Sequence, residues 1–99
     1  MSQAVFHCSY KLVEGASEAD FLAASEVCCK EVLSKLPGFI SWQMLKNGDT
    51  WIDLVTFKTM ADANATENGD YSSPAAQNFF AFIDFATMKQ ENYSVEKSF

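Results

Sequence analysis

The sequence has little positive charge. Its seven basic residues are all lysine, against thirteen Asp and Glu, and its formal net charge is −6. No run of basic residues occurs along the chain. Because phosphate backbones and anionic lipid surfaces attract clustered Lys and Arg, this composition argues against nucleic acids and membranes as partners.

Long apolar segments and paired cysteines are also lacking. No apolar run approaches the roughly 20 residues that span a bilayer, and the N-terminus lacks the basic start and apolar segment of a signal peptide. There are only three cysteines, and two of them, Cys28 and Cys29, are adjacent. No disulfide framework is therefore expected, and we expect a cytoplasmic protein.

Apolar residues, by contrast, are abundant. Hydrophobic residues make up 48% of the chain and aromatic residues 14%. We expect residues 1–99 to form a single domain whose core needs no metal or disulfide for support. The large aromatic content suggests a further burial site, either a ligand pocket or a subunit interface.

The first part of the chain predicts a strand and then a helix. Residues 4–13 alternate, so that one face, expected to be buried, carries Phe6, Cys8, Tyr10 and Leu12. A helix is predicted from about residue 18 to 35. Ser17 is its expected N-cap, and Pro37-Gly38 is expected to end it.

The segment from Pro37 to Phe57 predicts a β-hairpin with apolar residues on both faces. Asn47-Gly48 is a strong hairpin signal, because both central residues of a type I′ turn need a positive φ. That turn would pair Trp42 with Asp53, whereas a longer loop would shift the register. The face with Trp42, Trp51 and Asp53 is the more apolar one and is expected to meet the helices.

The rest of the chain predicts two helical segments and a strand. Thr59 is expected to cap a helix that runs to about residue 66. Ser73 is expected to cap another, with Pro74 at its first position, where the missing N–H costs nothing. Its buried stripe is predicted to contain Ala76, Phe79, Phe80 and Ile83. The final strand is expected from about Thr87 to Phe99.

This order of elements predicts an α+β, ferredoxin-like βαββαβ fold. Its four-stranded antiparallel sheet would carry both helices on one side. The other face would be open, and here it is also partly apolar. We therefore expect a second copy of the chain to cover it in a two-fold homodimer, the alternative being a monomer with a partly apolar surface.

On these elements the chain resembles the antibiotic-biosynthesis-monooxygenase-like (ABM-like) group of the dimeric α/β-barrel superfamily. The resemblance covers essentially the whole chain and rests on "FLAASEVCCKEVLSKL", "PGFISWQMLKNGDTWIDLVTFKTMADANA" and "SSPAAQNFFAFID". It implies two ferredoxin-like subunits joined back to back into a barrel. Such proteins include cofactor-independent quinone-forming oxygenases, haem-degrading enzymes and many proteins with no assigned activity.

The resemblance also limits the chemistry. The haem-degrading proteins use an Asn on the first strand with a Trp and a His on the second helical region. Here His7 lies at a comparable place on the first strand, and residues 59–83 contain neither Trp nor His, which argues against haem. The quinone-forming proteins place Asn, Trp, Tyr and Arg around an aromatic substrate, and this chain has no Arg.

Two residues are candidates for catalysis. His7, the only histidine, could shuttle a proton, although a structural histidine is more common. A single His with scattered carboxylates has no metal-ligand spacing, so no metal site is expected. Asp53 lies on an apolar face and is either a general base in a pocket or a carboxylate satisfied by a hydroxyl or backbone group.

Aromatic residues could wall a flat pocket between sheet and helices, although such a stripe is often plain core. The candidate substrate-binding residues are Tyr10, Trp42, Trp51, Phe79, Phe80 and Phe82, with Phe85 beside them. Cys8, Cys28 and Cys29 are expected to serve in packing, since no basic cluster or helix N-terminus activates them.

Two hypotheses for function remain open. The first is a small enzyme that oxidises an aromatic or quinone-like compound without a cofactor, with His7 or Asp53 taking a proton. The second is a non-catalytic homodimer that binds a small hydrophobic molecule or acts as a scaffold. A cavity with His7 or Asp53 exposed inside it would favour the first hypothesis.

Overall fold

A computed structural model describes residues 2–99 of the chain. Its elements are β1 Ala4–Leu12, α1 Glu18–Glu31, β2 Phe39–Asn47, β3 Thr50–Phe57, α2 Met60–Ala65, α3 Pro74–Phe80 and β4 Ile83–Ser94. The strands form one antiparallel sheet in the order β2-β3-β1-β4. The predicted ferredoxin-like α+β fold is thus confirmed. No helix among residues 2–99 has the length and apolarity to cross a membrane.

The three predicted N-caps are confirmed. The side-chain oxygens of Ser17, Thr59 and Ser73 each accept a hydrogen bond from the amide three residues further on, at 3.2, 3.1 and 3.3 Å. Each bond satisfies an N–H group that the start of a helix leaves unpaired, which contributes about 1 kcal/mol. These caps fix where α1, α2 and α3 begin.

The connection from α1 to β2 is tighter than predicted. α1 ends at Glu31 rather than near 35, and a 3-10 turn follows at Leu33–Lys35. Gly38 then adopts a φ of +74°. A Cβ at this position would lie 2.1 Å from Asp62 Oδ2, so the start of α2 packs directly on glycine backbone.

The β2–β3 turn differs from the predicted type I′ turn. Its two central residues are Gly48 and Asp49, and only Gly48 has a positive φ, +63°, as in a type II′ turn. The register therefore pairs Trp42 with Val55 rather than with Asp53. This shift moves the partner by two residues, so Trp42 and Asp53 still share the face that meets the helices, as predicted.

Phe39 lies on the helix face of the sheet, whereas strict alternation from Trp42 would place it on the open face. A register irregularity between Phe39 and Ser41 reverses the alternation at the start of β2. The Phe39 ring consequently meets Phe57 edge to face on the helix side, with centroids 6.3 Å apart. Ile40, within the irregularity, is left exposed.

β4 begins earlier and ends earlier than predicted. It starts at Ile83, which was expected in the last helix, and ends at Ser94 rather than Phe99. Its pairing with β1 is interrupted between Ser9 and Lys11, so residues 85–88 bulge from the sheet. The Thr87 hydroxyl holds this bulge, because it accepts a hydrogen bond from the Lys11 amide at 2.9 Å.

The core lies between the sheet and α1 and is centred on Phe21, which is 0% exposed. Four aromatic rings lie with centroids 5.1–6.2 Å from the Phe21 ring: Tyr10, Trp51, Phe79 and Phe82. Rings at these separations gain from edge-to-face and offset contacts beyond the burial of their area. This cluster fills one end of the interior and leaves the other end open.

Candidate functional site

A cavity of about 230 Å³ lies between the sheet and the helices, partly open to solvent. The sheet supplies one wall through all four strands, including Cys8, Asp53 and Trp42. α1 and its 3-10 turn supply the opposite wall, and α3 closes one end with Phe79 and Phe80. The wall is therefore mostly apolar, as in sites that bind small organic molecules.

Asp53 is the buried acidic residue of this wall. It is 7% exposed, and Tyr10 Oη donates a hydrogen bond to its Oδ1 at 2.9 Å. Its Oδ2 accepts no hydrogen bond from any residue that the structure describes. Burial raises the pKa of this carboxyl from 3.8 to about 6, although the Tyr10 hydroxyl and the neighbouring Trp42 indole both lower it. Burial therefore brings the pKa of this carboxyl closer to neutral pH than that of an exposed Asp.

The indole N–H of Trp42 is a second polar group close to Asp53. It is near enough to the carboxylate to lower its pKa, yet it lacks hydrogen-bond geometry and has no partner among residues 2–99. A buried unpaired donor costs about 1–3 kcal/mol. The ring itself is fixed by Phe79, which it meets edge to face at 5.3 Å. A small shift of Trp42 toward Asp53 would bring a second donor to the carboxylate.

Two thiols line the cavity beside Asp53. Burial and the charge of Asp53 raise the pKa of Cys8 to about 12. Burial, together with Cys29 and Asp53, raises that of Cys28 to about 11. Both side chains are protonated near neutral pH and are weak nucleophiles. They act as packing residues in the wall, the role predicted for them.

The segment between α2 and α3 also lines the cavity, through Thr66, Glu67 and Tyr71. Tyr71 Oη donates a hydrogen bond to the Thr66 carbonyl at 2.5 Å, and the ring meets Phe80 edge to face at 5.9 Å. Gly69 makes room for it, since a Cβ there would lie 2.9 Å from Tyr71 Cζ. Glu67 is exposed at the surface of this lining. At these residues the sequence pattern predicts only a break between two helices.

The structure brings together some of the residues predicted for the site. Asp53, Trp42, Phe79 and Phe80 line the cavity, as does Phe85. Tyr10 does not line it, although its hydroxyl donates a hydrogen bond to Asp53. Trp51 and Phe82 do not line it either, because they pack against Phe21 in the core.

His7 lies outside the cavity, on the open face of the sheet. Successive β1 residues point to opposite sides, and Cys8 pairs with Asp53 on the helix side. His7 instead meets Tyr93 edge to face at 6.1 Å, in a shallow depression with Ser9. The sheet thus separates the two candidate proton-transfer residues. Within residues 2–99, no group of three His, Cys, Asp or Glu residues is placed to hold a metal ion.

Comparison with known proteins supports the fold. No family model matches the sequence, and no curated protein is significantly similar to it. The structure of SnoaB, a cofactor-independent oxygenase from Streptomyces nogalater, aligns with a TM-score of 0.73 at 12% identity, over 99% of this chain and 97% of that one. A putative antibiotic biosynthesis monooxygenase from Caulobacter crescentus aligns with a TM-score of 0.72 at 14% identity, over 97% and 92%.

A third structure, of a putative antibiotic biosynthesis monooxygenase from Bacillus cereus, has a TM-score of 0.64 at 14% identity and covers 99% of this chain and 97% of that one. At these identities the likeness concerns the fold. The resemblance to ABM-like proteins is thereby confirmed for the architecture of the whole chain.

Proposed function

We propose that the cavity is an active site in which O₂ oxidises a small aromatic or quinone-like compound without a bound metal or flavin. The observation that carries this proposal is Asp53, a single carboxylate in an apolar wall whose pKa is raised to about 6. A general base is most effective when its pKa lies near the working pH. The fold shared with a cofactor-independent oxygenase supports the same reading.

The proposed reaction starts with transfer of a proton from a substrate hydroxyl to Asp53 Oδ2. The aryloxide that results is electron-rich and is the species that reacts with O₂. One oxygen atom becomes a new quinone carbonyl, and the other leaves as water with the two hydrogens that the substrate loses. The ring supplies all four electrons. Tyr10 holds Oδ1 and thereby orients Asp53, which makes Tyr10 a positioning residue.

The size of the cavity limits the substrate. A dry cavity of about 150 Å³ can bind benzene. The present cavity of about 230 Å³ is roughly half as large again, which suits about two fused rings. Trp42 and Phe79, which meet edge to face in its wall, offer aromatic surface to such a ring system.

1-Naphthol is a suitable test compound, because its oxidation to 1,4-naphthoquinone consumes one O₂ and releases one water. Oxygen uptake and quinone absorbance are followed at pH 7.5. We expect turnover that falls by about 10²–10⁴-fold in Asp53→Asn. Glu26→Gln, an exposed change on α1 away from the cavity, should be unaffected. Equal rates in Asp53→Asn and the unsubstituted protein would rule out Asp53 as the base.

A second candidate function is binding without turnover. It is favoured by the absence of Arg from the chain and by the position of His7 across the sheet from the cavity. Asp53 would then anchor a ligand hydroxyl through a hydrogen bond alone. Saturable binding of 1-naphthol without oxygen uptake would support this alternative.

We also propose that a second copy of the chain covers the open sheet face. Five apolar residues lie on that face: Val5, Leu45, Ile52, Leu54 and Tyr93. Leu45 is 43% and Tyr93 49% exposed, and a two-fold dimer would bury both copies of this surface at once. Sedimentation velocity showing a monomer at micromolar concentration would contradict the dimer.

A cytoplasmic location is part of the same proposal. All three cysteines, Cys8, Cys28 and Cys29, are free thiols in the structure. Free thiols are typical of a reducing compartment.

A further inference from the structure

We infer that the cavity selects aromatic ligands that carry a hydrogen-bond donor and no negative charge, and that Asp53 and Glu67 impose this selection. The inference rests on the proposed function only in taking the cavity as the ligand site. It concerns binding, so it can be tested apart from any reaction.

The lining of the cavity carries negative charge. It includes two carboxylates, the buried Asp53 and the exposed Glu67, and among the described residues no Lys side chain lines it. A ligand in the cavity would therefore lie among carboxylates. An anion held there would lose its hydration and gain no cation in return, and the weakly polar wall would strengthen the repulsion.

Asp53 has one carboxylate oxygen that accepts no hydrogen bond. Oδ1 accepts the hydrogen bond from Tyr10, whereas Oδ2 accepts none from residues 2–99, and the Trp42 indole N–H beside the carboxylate lacks hydrogen-bond geometry. The two hydroxyls at the lining already donate elsewhere, because Thr66 Oγ1 donates to the Ala63 carbonyl at 2.7 Å and Tyr71 Oη donates to the Thr66 carbonyl at 2.5 Å. A ligand O–H or N–H would supply the missing partner, and hydrogen bonds to ionised acceptors are stronger than those between neutral groups.

Three naphthalenes with the same ring system separate the effect of ligand charge from the effect of a ligand hydrogen-bond donor. 1-Naphthol is a neutral donor, 1-methoxynaphthalene is neutral without a donor, and 1-naphthoate is an anion at pH 7.5. Dissociation constants are measured by titration calorimetry with the full chain. We expect 1-naphthol to bind about tenfold more tightly than 1-methoxynaphthalene, and 1-naphthoate to bind at least about tenfold more weakly than 1-methoxynaphthalene.

Matched variants test whether Asp53 and Glu67 disfavour the anionic ligand. Asp53→Asn keeps the shape and removes the buried charge, so 1-naphthoate should gain about tenfold relative to 1-methoxynaphthalene. Glu67→Gln is exposed and should give a smaller gain of about twofold to threefold, because solvent screens its charge. Glu26→Gln makes the same change in net charge at a distant exposed site and should give no gain.

Several results would overturn the inference. One is binding of 1-naphthoate as tight as that of 1-methoxynaphthalene, and another is an unchanged ranking of ligands in both Asp53→Asn and Glu67→Gln. Absence of saturable binding by all three probes would overturn it as well. If the three probes bind in the expected order but 1-naphthol causes no oxygen uptake, the result supports the selection and contradicts the proposed oxidation. Oxidation of 1-naphthol combined with equal binding of 1-naphthoate supports the oxidation and overturns the selection.

Discussion

Replacing Asp53 with Asn should stabilise the protein, and by an amount that depends on pH. Burial raises the pKa of Asp53 from 3.8 to about 6, which means that the folded state holds this proton more tightly than the unfolded chain does. The contribution of protonated Asp53 to the free energy of unfolding is therefore fully present below pH 4, and it is lost as the pH rises through about 6. At about 1.36 kcal/mol per pKa unit, the loss amounts to roughly 3 kcal/mol.

Asn cannot ionise, so Asp53→Asn should escape this loss. Its side chain has the same shape, and its carbonyl oxygen can still accept the hydrogen bond from Tyr10. We expect the free energies of unfolding of the two proteins to be similar at pH 4. At pH 7.5 the variant should be more stable by about 3 kcal/mol. Gain of stability with loss of turnover is the pattern expected of a residue kept for function.

Urea unfolding followed by circular dichroism at pH 4, 5, 6 and 7.5 measures this difference. Protein concentration is held constant, because dimerisation would contribute to the apparent stability. Asp49→Asn, in the exposed β2–β3 turn, is the matched control and should show no comparable rise. A stability difference between Asp53→Asn and the unsubstituted protein that does not change with pH would refute the reasoning.

Three further changes test the fold and the assembly. Phe21→Ala removes the ring on which four others pack, and we expect a loss of about 3–5 kcal/mol in urea unfolding. Gly15→Ala should be strained by about 1–2 kcal/mol through its positive φ alone. Gly38→Ala should lose more stability, because its Cβ would also meet Asp62, and equal thermal midpoints of the two variants would contradict this. Leu54→Lys places a charge on the open sheet face, and we expect sedimentation velocity to show a monomer; an unchanged dimer would place the interface elsewhere.

The sequence predicts those features that depend on local chemistry and alternation. Ser17, Thr59 and Ser73 are recognisable as caps because each side chain bonds an amide within its own turn. Asp53 is recognisable as unusual because strand alternation places it on an apolar face. The caps and the alternation around Asp53 both depend on residues that are close together in the sequence, so a single sequence is enough to predict them.

Features that depend on strand register are harder to predict. Asn47-Gly48 favoured a type I′ turn, but a type II′ turn around Gly48 satisfies the same sequence and shifts the partner of Trp42. The start of β4 was placed too late, since the aromatic run around Ile83 fits a helix as well as a strand. Only the pairing with β1 decides between them.

The part of the cavity lining between α2 and α3 could not be predicted from the sequence. Tyr71 and Glu67 both line the cavity, and Gly69 makes room for the Tyr71 ring. Asn68-Gly69-Asp70 signals only a turn, and its direction is set by tertiary packing. The face on which His7 lies, in contrast, follows from the sequence. Successive residues of β1 point to opposite faces, so His7 lies on the other face from Cys8 and its strand partner Asp53.

The most direct test of the cavity as the functional site uses the two tryptophans. Trp42 lines the cavity, whereas Trp51 packs on Phe21 and does not. Their indole N–H signals can be followed in ¹⁵N-labelled protein during titration with 1-naphthol. We expect the Trp42 signal to shift in a saturable manner and the Trp51 signal to stay nearly fixed. A shift of Trp51 alone, or of neither signal at saturating ligand, would contradict binding in the cavity beside Asp53.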